Sequence, residues 1–356
     1  MLDLLLEIKS LQTQGKSAFY REGVFPSQRK YSLSKTVRED DNCFFTALIA
    51  FTLLRLKKNL SPEESAIIGS VKHEAQKAFQ YYRNAKAYTY NFWRTEKNAH
   101  FPNSKLFSKY DYFRLADDTD CTALIYLATN VSDYDAIYLK SKLLYHAKTL
   151  AGISNNTLRH YRRLKLYSTW FGKNIPAEPD LCVISNLLYL IFEKKLLLNE
   201  YDIDCIKFIC SVIRQDEHKT EPFRVAPYYP KTSIILYHVA RLLTITSHPV
   251  LLELREKLRK DIFQQLLEKI HPMEKIFLNT SLVWLGETGS IENLEMPANT
   301  DFPWFIAGML TSVNNPVTRA LAPLPLFHIE FYCEAYMKTL FFEYLTEKNK
   351  LPKEKR

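Results

Sequence analysis

Asp117, Asp118 and Asp120 stand within four positions, followed by Cys121, Thr122 and the apolar run Ala123-Leu124-Ile125-Tyr126-Leu127. Carboxylates this close repel one another, so one of them tends to keep its proton above the ordinary acid range. Crowded acids of this kind suit general acid–base chemistry. The same positions also suit a helix start, because aspartate accepts backbone N–H bonds there and complements the helix dipole. A cap needs one carboxylate, so the extra ones ask for a further reason. Two other starts echo this one: Glu39-Asp40-Asp41-Asn42-Cys43-Phe44 and Glu178-Pro179-Asp180-Leu181-Cys182. For Asp40, Asp41 and Asp180 the expected role is a cap.

Helical periodicity runs through the chain, and no convincing strand alternation accompanies it. One set of helices is amphipathic: Leu2–Thr13, Pro62–Arg83, Tyr134–Lys148, Asp202–Arg214 and Val250–Ile270, with a short sixth at Phe302–Thr311. The other set is apolar on most faces: Asn42–Leu56, Thr119–Thr129, Leu181–Phe192, Ser233–Leu243, Lys275–Leu285 and Ile329–Leu345. A helix apolar all round is buried, whereas a one-sided helix lies outside. The links into the apolar helices are long, and the links out of them are short. The pattern predicts an all-α chain. Its fold would be an (α/α)6 toroid of about twelve alternating outer and inner helices. It would form a single domain over 1–347 with a basic tail at 348–356. The inner helices would then start on one rim, where the long loops gather. An α-solenoid and two packed helical bundles are the other arrangements the pattern allows.

Composition narrows the function. Of 356 residues only 8 are Gly, and neither GxGxxG nor a P-loop occurs, which argues against Gly-rich nucleotide loops. The net charge of +9 suits an anionic partner and follows equally from free lysine use in an AT-rich genome. The six cysteines form no CxxC and sit largely in apolar runs, so they read as reduced thiols of a cytoplasmic protein. Met1–Ile8 carries acids where a signal peptide wants bases, and no apolar run is long enough to span a bilayer. Arg and Lys interleaved with Tyr lack any recognised nucleic-acid motif, so no nucleic-acid partner is expected. No GxSxG and no local Cys/His pair point to a nucleophilic hydrolase. A glycosidase on a toroid would pair acids such as Asp118 and Asp180, which this composition suits no better.

The stretch Asn91-Phe92-Trp93-Arg94, Phe101-Pro102 and Asp118-Thr119-Asp120-Cys121-Thr122-Ala123, with the inner/outer alternation, resembles the squalene cyclase and protein prenyltransferase superfamily. Within it the motif is most similar to class II terpene cyclases, including drimane-type enzymes with Asp-x-Asp-Thr-Thr. The likeness in architecture covers nearly the whole chain, and the motif covers about six residues. The resemblance implies an isomerase of isoprenoid biosynthesis, acting on a linear C15–C20 prenyl diphosphate that it keeps intact. Asp120 would be the general acid that protonates an alkene, Asp118 its partner, and Thr122 an orienting hydroxyl. The chain departs from the family at Cys121, which cannot share a proton as a fourth-position Asp does.

Such a reaction needs an apolar cavity with aromatic faces, and inner helices supply Phe44, Tyr126, Tyr189, Tyr237, Trp284 and Phe341 among others. Trp93 and Trp284 are the candidate aromatic contacts to substrate. Arg94, Arg114, Arg162 and Arg163 are the candidate partners of the diphosphate, the last two in the densest basic run, Arg159–Lys165. Mg²⁺ is a candidate bridge from the diphosphate to Glu39, Asp40 or Asp41; no direct metal ligand set and no organic cofactor are expected. A greasy substrate makes transient membrane contact a further expectation. Two alternatives stand beside this reading. One is a non-catalytic toroid that binds a lipid or a partner protein. The other is a zinc-dependent prenyltransferase-like protein, for which Asp180, Cys182 and His238 have the ligand types.

Overall fold

The computed structural model describes residues 1–14, 17, 19–96, 115–149, 157–172, 178–298, 300–308, 310 and 316–352. The described elements run in order α1 (Leu2–Ser10), β1 (Ser27–Tyr31), β2 (Val37–Asp40), α2 (Phe44–Leu56), α3 (Pro62–Ala78), β3 (Arg83–Asn84) and β4 (Thr89–Tyr90). They continue with α4 (Thr119–Thr129), α5 (Asp133–Thr149), α6 (Leu181–Glu193), α7 (Glu200–Arg214), α8 (Glu217–Thr220), α9 (Pro222–Val225) and α10 (Thr232–Leu243). The last are α11 (Pro249–Leu252), α12 (Arg255–Leu266), α13 (Pro272–Trp284), β5 (Phe305–Gly308), α14 (Pro316–Leu321), β6 (His328–Tyr332) and α15 (Glu334–Lys348).

Six helices carry the core. Each packs on the next: α2 on α4, α4 on α6, α6 on α10, α10 on α13, α13 on α15, and α15 back on α2. Their sequences explain the burial. In α6 every residue from Leu181 to Ile191 is buried, and in α2 every residue from Phe44 to Leu53. At about 1.5–3 kcal/mol for each fully buried Leu, Ile or Phe, these helices form only where other helices cover them on every side. Four further helices are one-sided and lie against them: α3 on α2, α7 on α6, α12 on α10 and α13, and α1 on α15.

The fold is helix-rich without being all-α. β2, β1, β6 and β5 form a four-stranded antiparallel sheet, and β3 pairs with β4. Two expected helices are thereby corrected. The 302–311 stretch supplies β5, and the start of the 329–345 stretch supplies β6, with α15 beginning only at Glu334. Backbone pairing overrides helical spacing here: Gln28 faces Tyr332 across β1 and β6, and Phe305 faces Phe331 across β5 and β6. The Phe305 and Phe331 rings stack with centroids 4.5 Å apart. A third expected helix, 250–270, is broken between Leu252 and Arg255.

The segments that lead into these core helices are tied to one another. Asn42 bridges Trp93, Tyr90 bridges Asp118, and Asp118 bridges Trp170. The Trp170 indole N–H donates to the Tyr228 hydroxyl at 2.6 Å, and the Ile306 amide donates to the Tyr228 carbonyl at 2.9 Å. The sheet returns this chain of contacts to Asp40, just before α2. Such ties satisfy the backbone of long connections that would otherwise be buried without partners. All six cysteines are buried free thiols, and no helix of the described residues is long and apolar enough to cross a membrane.

Candidate functional site

Asp118 caps α4. Its backbone is extended, and Oδ1 accepts from the amides of Asp120 at 2.7 Å and Cys121 at 3.4 Å. Oδ2 accepts from the Cys121 thiol at 3.2 Å. Burial pushes the Asp118 carboxyl up to about 7, and the negative charge of Asp120 adds to the rise. Cys121 keeps its proton, because burial raises the thiol well above its ordinary value and neighbouring Cys43 and Asp118 raise it further.

Asp120, in the first turn of the same helix, is 3 % exposed and takes no cap bond. Its carboxylate is held from two other parts of the chain. The Asn186 side-chain amide of α6 donates to Oδ1 at 2.7 Å, and the Tyr229 hydroxyl, just before α10, donates to Oδ2 at 2.5 Å. Asn186 accepts in turn from the Arg241 guanidinium of α10. Burial raises the Asp120 carboxyl, while the bonds from Tyr229 and Asn186 and the charge of Arg241 pull it back. Burial thus favours the acid form of Asp120, and its two donors favour the carboxylate that remains once a proton is given up.

Aromatic faces surround the Tyr229 side of Asp120. Tyr229 lies 6.3 Å from Phe44, 6.2 Å from Phe305 and 5.2 Å from His238, centroid to centroid. Phe305 meets Phe44 at 4.8 Å and Phe92 at 5.8 Å. His238 donates from Nδ1 to the Ile234 carbonyl at 2.9 Å, which leaves Nε2 as the free lone pair. Burial pushes its pKa well down and the charge of Arg241 lowers it further, so the ring is neutral.

The other expected site residues fall elsewhere. Thr122 bonds neither carboxylate: its hydroxyl donates to the Asp118 backbone carbonyl at 2.6 Å and accepts from the Tyr90 amide at 3.0 Å. Trp93 donates to Asp40 at 3.1 Å, and Arg94 pairs with Asp41 at 2.6 Å. Arg29 also lies 3.4 Å from Asp40, so both acids are matched by guanidinium groups. Arg162 and Arg163 follow a segment that packs on α7, where the Tyr161 ring meets Phe208 at 4.8 Å. Arg114 lies outside the described residues. Trp284, at the end of α13, lies beneath the Arg55 guanidinium at 4.7 Å.

Two groups bear on metal chemistry, the alternative zinc set at Asp180 and one further trio. Asp180 is satisfied by three backbone amides, those of Cys182 at 2.8 Å, Val183 at 3.2 Å and Tyr228 at 2.9 Å. Among the described residues, the ligating trio whose atoms lie within 4.8 Å of one another is Asp216, His218 and Asp261. Two ammonium groups already serve its carboxylates: Lys257 is 2.5 Å from Asp216, and Lys219 is 2.6 Å from Asp261.

Asn186 and Arg241 were not expected at the site. Both carried a signal, since each is a polar or charged residue inside a run that is apolar on every face. Nothing in the spacing marks Tyr229 as a partner of Asp120, 109 positions away. No protein-family model matches the chain, and no curated protein or solved structure matches it.

Proposed function

We propose that the protein is a class II terpene cyclase, in which Asp120 protonates a linear C15–C20 prenyl diphosphate or related isoprenoid. The scaffold is an (α/α)6 toroid, a reading supported by the closed order of neighbours α2, α4, α6, α10, α13 and α15. One observation carries the function: Asp120 is a buried acid whose two oxygens are held by Tyr229 and Asn186 beside a wall of aromatic rings. The Asp120 O–H bond breaks as a C–H bond forms at the terminal alkene carbon. The next double bond attacks the resulting cation, and a later proton loss ends the cascade. Tyr229 and Asn186 stabilise the carboxylate left behind, and the rings stabilise the cations.

Asp118 is the partner that shares the local proton load, with Cys121 donating to it where the family has an acid or threonine. The diphosphate stays intact, with Mg²⁺ as its companion ion. Arg94, Arg114, Arg162 and Arg163 are the head-group candidates, and Trp93 and Trp284 the aromatic ones. The protein acts in the cytoplasm with transient membrane contact to collect substrate.

A second reading also has a specific observation behind it. Asp120 ties α4 to α6 and to the segment before α10, which is what a structural pin does. On that reading the toroid binds a lipid or a partner protein without catalysis. The test is incubation with farnesyl and geranylgeranyl diphosphate, with and without Mg²⁺, followed by dephosphorylation and gas chromatography–mass spectrometry. Cyclic alcohols that vanish in Asp120→Asn support the cyclase. Linear alcohols alone support the binding module.

A further inference from the structure

Toward the C-terminal ends of the core helices lies a second polar cluster, which shares Arg241 and the candidate aromatic Trp284 with the proposed reaction. Arg55 of α2, Arg241 of α10, Trp284 of α13 and Glu343 of α15 converge there. The Arg55 guanidinium lies over the Trp284 ring at 4.7 Å and the Phe51 ring at 5.9 Å, and Arg241 lies over Phe51 at 5.4 Å and Tyr237 at 5.2 Å. Tyr237 donates to Glu343 at 2.7 Å, and its ring lies tilted against Trp284 with centroids 5.4 Å apart.

The cluster is polar without being self-sufficient. Arg241 is 1 % exposed and Glu343 is 0 % exposed. Arg55 Nη1, Arg241 Nη1, Trp284 Nε1 and Glu343 Oε1 are all buried without a hydrogen-bond partner in the chain. Arg55 approaches Glu343 only to 3.8 Å, beyond hydrogen-bond reach. Glu343 acts on both guanidiniums, with Glu347 adding its charge at Arg55 and Asp120 at Arg241, yet none of these acids takes a bond from the free Nη1 groups. Buried N–H donors left without an acceptor are unfavourable unless a further group completes their bonding. Helix C-termini make positive charge tolerable there, but their carbonyls do not fill the free N–H groups.

We infer that Arg55 and Arg241 form an anion-binding subsite that takes one carboxylate or phosphate oxyanion, with the Trp284 N–H as a third donor. Two guanidinium N–H groups suit the paired oxygens of either anion. The aromatic faces of Phe51, Tyr189 and Tyr237 keep the guanidiniums in place and exclude competing water. Glu343 sets the charge of the pocket, so it limits how strongly an anion binds. The inference does not rest on the cyclase reading, because it uses none of the residues that hold or share the Asp120 proton except Arg241.

Thermal unfolding of the full chain tests it, with sodium phosphate and sodium acetate each titrated at ionic strength held constant by sodium chloride. The expected result is a saturable rise in the unfolding midpoint with at least one anion. Phosphate alone or acetate alone identifies the head-group class. Arg55→Gln abolishes the rise. Glu343→Gln strengthens binding by about tenfold or more, since a like charge beside the anion is removed. That gain cannot come from a weakened fold, so the pair of variants separates binding from misfolding. Asp120→Asn leaves the rise in place, which distinguishes this subsite from the catalytic proposal. No saturable rise with either anion, or an equal rise in Arg55→Gln, overturns the inference and leaves the guanidiniums as structural groups.

Discussion

The starts of α4 and α6 share one cap and part at the position two residues beyond it. Asp118 and Asp180 both have extended backbone, and each accepts from the amides two and three residues on. Both carboxyls are pushed up to about 7 by burial. The position two residues after the cap is Asp120 in α4 and Cys182 in α6. Cys182 is an uncharged buried thiol, whereas Asp120 is held by two side chains from outside its helix. Capping thus accounts for two of these three carboxylates and leaves Asp120 as the one that needs another role.

The sharpest way to break that comparison is Asp120→Asn. It removes the proton while keeping a side chain that Tyr229 and Asn186 can still contact. Cyclisation should fall by about 10²–10⁴-fold, the usual worth of a positioned general acid. The unfolding midpoint should hold or rise, because a buried acid is replaced by a neutral amide. A large loss of stability with activity retained would make Asp120 a pin. Next in size is Cys182→Asp, which copies Asp120 into α6 without its partners. It should destabilise by about 3–5 kcal/mol in denaturant titrations, the cost of an uncompensated buried charge.

Tyr229→Phe removes one donor from the Asp120 carboxylate. The acid should then hold its proton to higher pH, so the alkaline limb of the pH–rate profile moves up. The rate should drop about tenfold as the carboxylate formed in the reaction loses a hydrogen bond. Unchanged pH dependence would contradict the pairing of Tyr229 with Asp120. Smaller again are the caps themselves. Asp118→Ala and Asp180→Ala should each cost about 0.5–2 kcal/mol of stability, but only Asp118→Ala should also impair cyclisation.

The pH dependence of stability tests the shared cap independently of activity. A carboxyl raised to about 7 in the fold, from 3.8 when unfolded, binds its proton more tightly in the native state. Stability is then fully present below the unfolded value and is lost as pH rises through about 7. Unfolding midpoints recorded between about pH 5 and pH 8 should decline, and Asp180→Asn should flatten that decline. A midpoint that climbs over this range would show the cap carboxylates to be favoured as charged groups.

Much of this arrangement is readable from residue order. Helices apolar on every face, such as 181–191, have nowhere to go but the centre, so the six core helices are legible from hydrophobicity alone. Asp118 and Asp120 are legible because three acids ahead of such a helix exceed what capping needs. The sheet is not. β2 is Val37-Arg38-Glu39-Asp40 and β1 is Ser27-Gln28-Arg29-Lys30-Tyr31, short polar strands with no apolar alternation to betray them. β6 runs directly into α15, and its Ile329 and Phe331 merge with the helical pattern that follows. The partners of Asp120 are likewise invisible to spacing. Asn186 lies 66 positions away and Tyr229 lies 109 positions away, and only the packing of α4, α6 and α10 brings them together.

The most direct test of Asp120 as a proton donor is to run the cyclisation in D₂O and weigh the product. Protonation of the alkene by an acid that exchanges with solvent predicts a cyclic product carrying a single deuterium, made by the native chain and not by Asp120→Asn. A cyclic product without deuterium would contradict the account, because the reaction would then begin by loss of the diphosphate and not by protonation at Asp120.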